Sequence, residues 1–192
     1  MRIGLYFGSF NPVHHGHLII ASHILANSEL EQLWFVVSPQ NPLKPSAGLL
    51  NEYHRLHLVQ SSIEGEKNMR AVDIEFKLQR PSYTIDTLTY LHEKYPEHEF
   101  AVIMGSDSFQ NIKNWKNYER LIQNYPIYIY LRHGNTELTG YANARIITMK
   151  APLLEISSTL VRNNIKQGKT IRYLVPELVR SEIENNGYYR SS

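Results

Sequence analysis

The chain has 192 residues, 42% of them hydrophobic and 20% charged, with a net charge of +2 when histidine is neutral. That length suits one domain with a real core, and the near-balanced charge argues against a nucleic-acid or membrane-surface protein, which would carry a strong basic excess. The absence of cysteine excludes disulfides, thiolate metal sites and cysteine nucleophiles, and it fits a cytoplasmic setting.

Residues 3–7 (IGLYF) form an apolar run that predicts a buried strand; it is too short for a signal-peptide core and is broken at once by Gly8 to Pro12. No later stretch approaches the roughly 18 apolar residues of a membrane helix. From Gly16 to about Asn27, Leu18, Ala21, Ile24 and Leu25 recur at the spacing of one helix face. Residues 33–37 (LWFVV) predict a second strand, followed by a loop containing Pro39, Pro42 and Pro45. Asn51 can cap a helix whose apolar stripe is Leu56, Val59 and Ile63. Residues 71–76 predict a third strand, 84–95 a helix stopped by Pro96, and 100–104 a fourth strand. A helix is expected over about 109–124, strands over 127–131 and 145–149, and a helix from Ser157 or Ser158 to about Gln167, closed by Gly168. Pro176 opens a last helix and Gly187 closes it.

Strands alternating with helices imply an α/β fold: a Rossmann-like, doubly wound parallel sheet with helices on both faces and right-handed connections. No linker interrupts the chain, so residues 1–192 are expected to be one domain, with 157–192 as a small helical C-terminal portion. Ligands of such sheets bind beyond the carboxyl ends of the strands. The loops of interest therefore follow Phe7, Val37, Phe76, Met104 and Leu131.

The first of these loops reads GSFNPVHHGHLI over residues 8–19. A turn at Asn11-Pro12 leads into a helix start, where free backbone N–H groups and the helix dipole attract phosphate. Gly16 admits an anion close to the backbone. His14 and His17, three apart, share one side of the first turn, and each imidazole can donate to a phosphate oxygen. The stretch is neither a Walker A loop nor G-x-G-x-x-G. A zinc site is the rival, since His54 and His57 repeat the H-x-x-H spacing, but no acidic third ligand is nearby and H-E-x-x-H is absent. A second helix start, EISSTLVRNNIKQG over 155–168, offers the hydroxyls of Ser157, Ser158 and Thr159, with the forked cation of Arg162 one turn on. Two such helix starts facing one triphosphate make a coherent anion site.

Residues 8–17 resemble the nucleotidyltransferase signature ending in (H/T)-x-G-H, and Ser157 to Arg162 fits that superfamily's S-x-x-x-x-R pattern. Class I aminoacyl-tRNA synthetases share the first motif, but the chain is short for one and has no K-M-S-K-S run. Four more stretches resemble the bacterial nicotinate-mononucleotide adenylyltransferases: RPSYTIDTL (80–88), GSDSFQNIKNWKNYERLI (105–122), ISSTLVR (156–162) and the tail YLVPELVRSEIENNGYY (173–189). Pantetheine-phosphate adenylyltransferases share the histidine turn but not the S-Y-T and Trp elements.

The resemblance implies adenylyl transfer from ATP to nicotinate mononucleotide in NAD biosynthesis, with Mg²⁺ accompanying ATP. Nicotinamide mononucleotide and pantetheine phosphate remain as alternative acceptors. From other classes, a non-catalytic nucleotide-binding module and a zinc hydrolase remain. His14, His17 and Arg162 are then the expected catalytic residues. Gly8, Ser9, Phe10, Gly16, Gly105, Asp107, Ser157, Ser158 and Thr159 are expected to bind ATP and its phosphates. Tyr83, Thr84 and Trp115 should read the nicotinate ring and carboxylate, and Lys44 and Arg132 the mononucleotide phosphate. Two departures stand out: Asn11 occupies a position where the family often has Asp, and Leu43 one where His is common. The implied partners are small molecules, with no nucleic acid or membrane, and a homo-oligomer is compatible with the sequence.

Overall fold

A computed structural model describes residues 1–40, 48–131, 144–152 and 154–190 of the chain. Six strands, β1 (Arg2–Gly8), β2 (Gln32–Val37), β3 (Met69–Val72), β4 (Glu99–Gly105), β5 (Ile127–Tyr130) and β6 (Ile146–Met149), make one sheet. Every neighbouring pair is parallel, in the order β3-β2-β1-β4-β5-β6. This is the expected doubly wound α/β sheet. Its order reverses between β1 and β4, and the loops leaving these two strands part there and open a crevice.

The helices are α1 (His15–Ala26), α2 (Glu52–Ser62), α3 (Thr84–Lys94), α4 (Ser106–Gln110), α5 (Tyr118–Asn124), α6 (Ser158–Lys166) and α7 (Glu177–Asn186). Successive strand residues point to opposite faces, so the central strands feed two cores. Tyr6, Leu33, Phe35, Val37 and Ile103 pack with α1, α2, α6 and α7; Ile3, Leu5, Trp34, Val36 and Val102 pack with α3 and α5. The C-terminal helices share the first core through Val161, Val179 and Ile183. Among the described residues no helix is long and apolar enough to cross a membrane.

Several local expectations are corrected. The third strand begins at Met69 and ends at Val72, and residues Ile74–Lys77 form a 3₁₀ turn instead of continuing it. Ile74 and Phe76 share a face in an extended chain; the turn sends Ile74 to one core and Phe76 to the other. The ligand-side loop therefore leaves at Val72, not Phe76. The long helix expected over 109–124 is broken into α4, a 3₁₀ turn (Ile112–Asn114) and α5. Asn111, Asn114 and Asn117 supply the break, because asparagine competes with helical bonding and tolerates left-handed backbone; Asn117 has φ 51°. In the stripe of α2, Val59 and Ile63 are buried as expected and Leu56 only half-buried, while Arg55 and Leu58 join the buried face.

Candidate active site

Beyond the ends of β1 and β4 lies a cleft of about 550 Å³. Of the expected residues, Gly8, Ser9, Tyr83, Thr84, Gly105, Asp107 and Trp115 line it. A side chain at Gly105 would crowd this wall, since a Cβ there would lie 2.5 Å from Asp107 Oδ1. Lys44 and Arg132, like Leu43, fall outside the described residues.

The histidines form an adjoining group at the start of α1. His14 is the N-cap, and its backbone N–H donates to His17 Nδ1 at 3.3 Å. In a neutral imidazole bonded this way the ring hydrogen sits on Nε2, which makes Nε2 the donor nitrogen of the ring. The two rings stack with centroids 3.7 Å apart, and His17 meets Phe10 edge-on at 5.0 Å and Tyr6 at 6.1 Å. Phe10, expected among the phosphate-binding residues, buries its ring against Tyr6 and Phe35 as the wall on which His17 rests. Gly16 is required by close packing: a Cβ would come within 3.0 Å of the His14 ring and 3.5 Å of the Ile156 carbonyl.

The second helix start meets the first directly. Arg162 Nη1 donates to the Asn11 carbonyl at 2.7 Å, and Ser158 Oγ to the Pro12 carbonyl at 2.9 Å. Arg162 Nη2 donates to Thr159 Oγ1 at 3.2 Å. Ser157 caps α6, its Oγ accepting from Leu160 N at 3.1 Å. The Ser157 hydroxyl is thus engaged in capping α6 and that of Ser158 in holding α6 to the histidine loop, while Arg162 and Thr159 stand together beside it. The departure at Asn11 has a structural use. Its side-chain amide donates to the Gly48 carbonyl at 3.0 Å and its Oδ1 accepts from Leu50 N at 3.1 Å. An ionised aspartate could accept but not donate.

Two buried charged residues that hold the site's loops escaped the sequence reading. Arg55 is fully buried and donates to four carbonyls: Leu50 at 2.7 Å, Ser9 at 2.6 Å, Ser38 at 2.8 Å and Pro39 at 3.0 Å. It thereby ties the loop after β1 to the loop after β2. Burial lowers its pKa from the ordinary arginine value, with Tyr189 and Glu52 opposing that fall. Tyr189, near the end of the chain, has its phenol pushed up by burial, with Arg55 and Arg162 opposing. No spacing rule marks Arg55; only its position on the apolar side of α2 could have drawn notice.

Glu75 is the second. It lines the cleft yet is only 2% exposed, accepting from Ser82 Oγ at 2.8 Å and from Thr87 Oγ1 at 3.0 Å. It thus anchors the loop that presents Tyr83 and Thr84. Burial pushes its carboxyl above the usual carboxylate value, against the pull of hydrogen bonds from Ser38, Ser82 and Thr87. The unfolded chain then loses this proton first as pH rises, so the protonated group's contribution is complete below about 4.5 and is lost as pH climbs through the raised value. Glu75→Gln carries no such proton. Urea unfolding should show the stability of the variant relative to wild type improving from pH 4.5 to pH 8. A difference independent of pH would contradict a raised carboxyl.

The second H-x-x-H pair is turned elsewhere. His54 Nδ1 lies 3.0 Å from Tyr188 OH and His57 Nε2 3.8 Å from Glu182, both contacts with the C-terminal segment. Among the described residues no three His, Asp or Glu side chains gather as a metal cage.

A switch-point cleft flanked by two joined helix starts defines a nucleotidyltransferase. The family model described as cytidylyltransferase-like matches residues 5–164, and the chain belongs to that family, among its nicotinate-nucleotide adenylyltransferases. The chain is 47% identical over 192 residues to the probable nicotinate-nucleotide adenylyltransferase of Flavobacterium psychrophilum, covering 99% of this chain and all of the relative. It is 48% identical to that of Cytophaga hutchinsonii, covering 98% of each. Its fold matches Plasmodium falciparum nicotinic acid mononucleotide adenylyltransferase complexed with NaAD, at TM-score 0.80 and 21% identity, covering 98% of this chain and 97% of that one. The expected fold class and family resemblance are thus borne out.

Proposed function

We propose that the protein transfers AMP from ATP to nicotinate mononucleotide, giving nicotinate adenine dinucleotide and pyrophosphate. The observation that carries this is the direct joining of the two helix starts, Arg162 to Asn11 and Ser158 to Pro12, beside a cleft that already holds Trp115, Tyr83 and Thr84. A phosphate oxygen of the mononucleotide attacks the α-phosphorus of ATP, one P–O bond forms, and the bond to the departing pyrophosphate breaks. The nucleophile is already an anion and needs no base. The protein's work is positioning and charge stabilisation.

His14, His17 and Arg162 hold the phosphates as charge moves to the leaving group. Gly8, Ser9, Gly16, Gly105, Asp107 and Thr159 complete the ATP side, with Ser157 and Ser158 fixing α6 and lending it their backbone. Trp115 stacks on the pyridine ring, Tyr83 and Thr84 read its substituent, and Lys44 and Arg132 take the mononucleotide phosphate. The described residues suit a Mg²⁺ ion carried in on ATP by phosphate oxygens and waters, because Glu75 already receives Ser82 and Thr87 and Asp107 is the other carboxylate of the described cleft lining. Such an ion would neutralise triphosphate charge. With these small-molecule substrates the protein's place is the cytoplasm.

The test is pyrophosphate release with ATP and each candidate acceptor. Release with nicotinate mononucleotide, together with formation of the dinucleotide, is the expected result. Adenylation of pantetheine phosphate instead, or no release with any acceptor, would overturn the assignment.

A further inference from the structure

The described lining of the cleft carries two carboxylates, Glu75 and Asp107, and a single cation, Lys116. Its ammonium lies 4.9 Å from the centre of the Tyr83 ring and meets Asp86 of α3 at 2.8 and 3.1 Å. Lys116 directly follows Trp115, and Tyr83 and Thr84 lie across the same cleft. A pyridine ring held in this cleft between Trp115 and Tyr83 would share its walls with this ammonium, which sits over the Tyr83 ring.

We propose that Lys116 is the residue that selects a mononucleotide bearing a ring carboxylate over one bearing the amide. This deepens the adenylyl-transfer reading and rests on it. Tyr83 and Thr84 can donate hydrogen bonds to an acid or to an amide oxygen alike, so they separate the two poorly. A full positive charge attracts only the carboxylate, and it does so more strongly in a cleft than in open water. Without that charge Asp107 of the same lining would disfavour an anionic ring. Both partners of the Lys116–Asp86 pair are 44% exposed. Such a solvated pair is weakly held, so the ammonium can turn from Asp86 to a ligand at little cost.

The experiment compares kcat/KM for nicotinate and nicotinamide mononucleotides, each with ATP, in wild type, Lys116→Gln, Lys116→Arg and Asp86→Asn. A lost charge-assisted hydrogen bond predicts a fall of about 10- to 100-fold for the acid in Lys116→Gln, with the amide substrate changed by no more than about twofold. The loss should fall on KM, because the ammonium acts on the ring and not on the reacting phosphorus. Lys116→Arg should keep most of the preference for the acid, and Asp86→Asn, which removes the competing carboxylate, should raise it. Unchanged selectivity in Lys116→Gln, in a protein that still adenylates the acid, overturns the role of Lys116 alone. A wild type that adenylates neither mononucleotide overturns the assigned reaction and this inference with it. Thermal melting of each variant separates a folding defect from either result.

Discussion

His17→Ala is expected to lower kcat about a hundred- to a thousandfold, a loss of about 3–4 kcal/mol of transition-state stabilisation, as is common when one preorganised donor to developing charge is removed. The ring is unusually well fixed for this task. His14 stacks on one side of it, Phe10 and Tyr6 meet it edge-on, and the bond from His14 N sets which nitrogen carries the hydrogen. Little reorganisation is then needed as charge moves onto the leaving phosphate, so removal should act on turnover more than on the KM for ATP. Steady-state pyrophosphate release checks this, and a variant with near-full turnover would remove His17 from the mechanism. His57→Ala is the paired control. Its imidazole faces Glu182, so its loss should leave the rate unchanged, whereas a metal shared by the two H-x-x-H pairs would make both losses comparable.

Arg55→Met, in α2, should strongly destabilise the ligand-side loops it ties together. Methionine preserves much of the buried volume but leaves the carbonyls of Ser9, Ser38, Pro39 and Leu50 without their shared donor. Buried acceptors left unsatisfied cost about 1–3 kcal/mol each before relaxation. A net loss of about 3 kcal/mol would lower Tm by about 6–12 °C in a domain of this size. Activity should fall further than stability explains, even well below Tm, because Arg55 fixes the spacing between the loops after β1 and β2, and a displacement of about 1 Å in such a site can cost a hundredfold in rate. Calorimetry with a parallel assay at low temperature tests both parts. A variant that melts as wild type does would show that the four carbonyls find other donors, and would remove Arg55 as the tie.

The strand and helix plan was legible because its signals are local. The 33–37 run becomes β2, Ser157 caps α6 through its own hydroxyl, and Gly187 closes α7 with φ 65°. The histidine turn and the Ser-Ser-Thr stretch could be placed at helix starts for the same reason. What stayed hidden depends on partners distant in sequence. Apolar residues at 74 and 76 look like strand, and only the hydroxyls of Ser82 and Thr87 reveal why the chain curls to enclose Glu75. Arg55 looks like an ordinary charged position until carbonyls from three other segments are found around it. Asn11 looks like a weakened aspartate until its amide is seen bridging Gly48 and Leu50. Phe10 belongs to a signature stretch, yet its ring serves the core.

The bond from Arg162 to Asn11 spans 151 positions of the chain, and that from Ser158 to Pro12 spans 146. A nascent polypeptide lacking its last fifth would have all six strands in its sequence yet only one of the two joined helix starts. The bonds that join the two helix starts therefore form late in synthesis, once α6 has left the ribosome, and a chain terminated before α6 would lack them together with the core contribution of Val161, Val179 and Ile183.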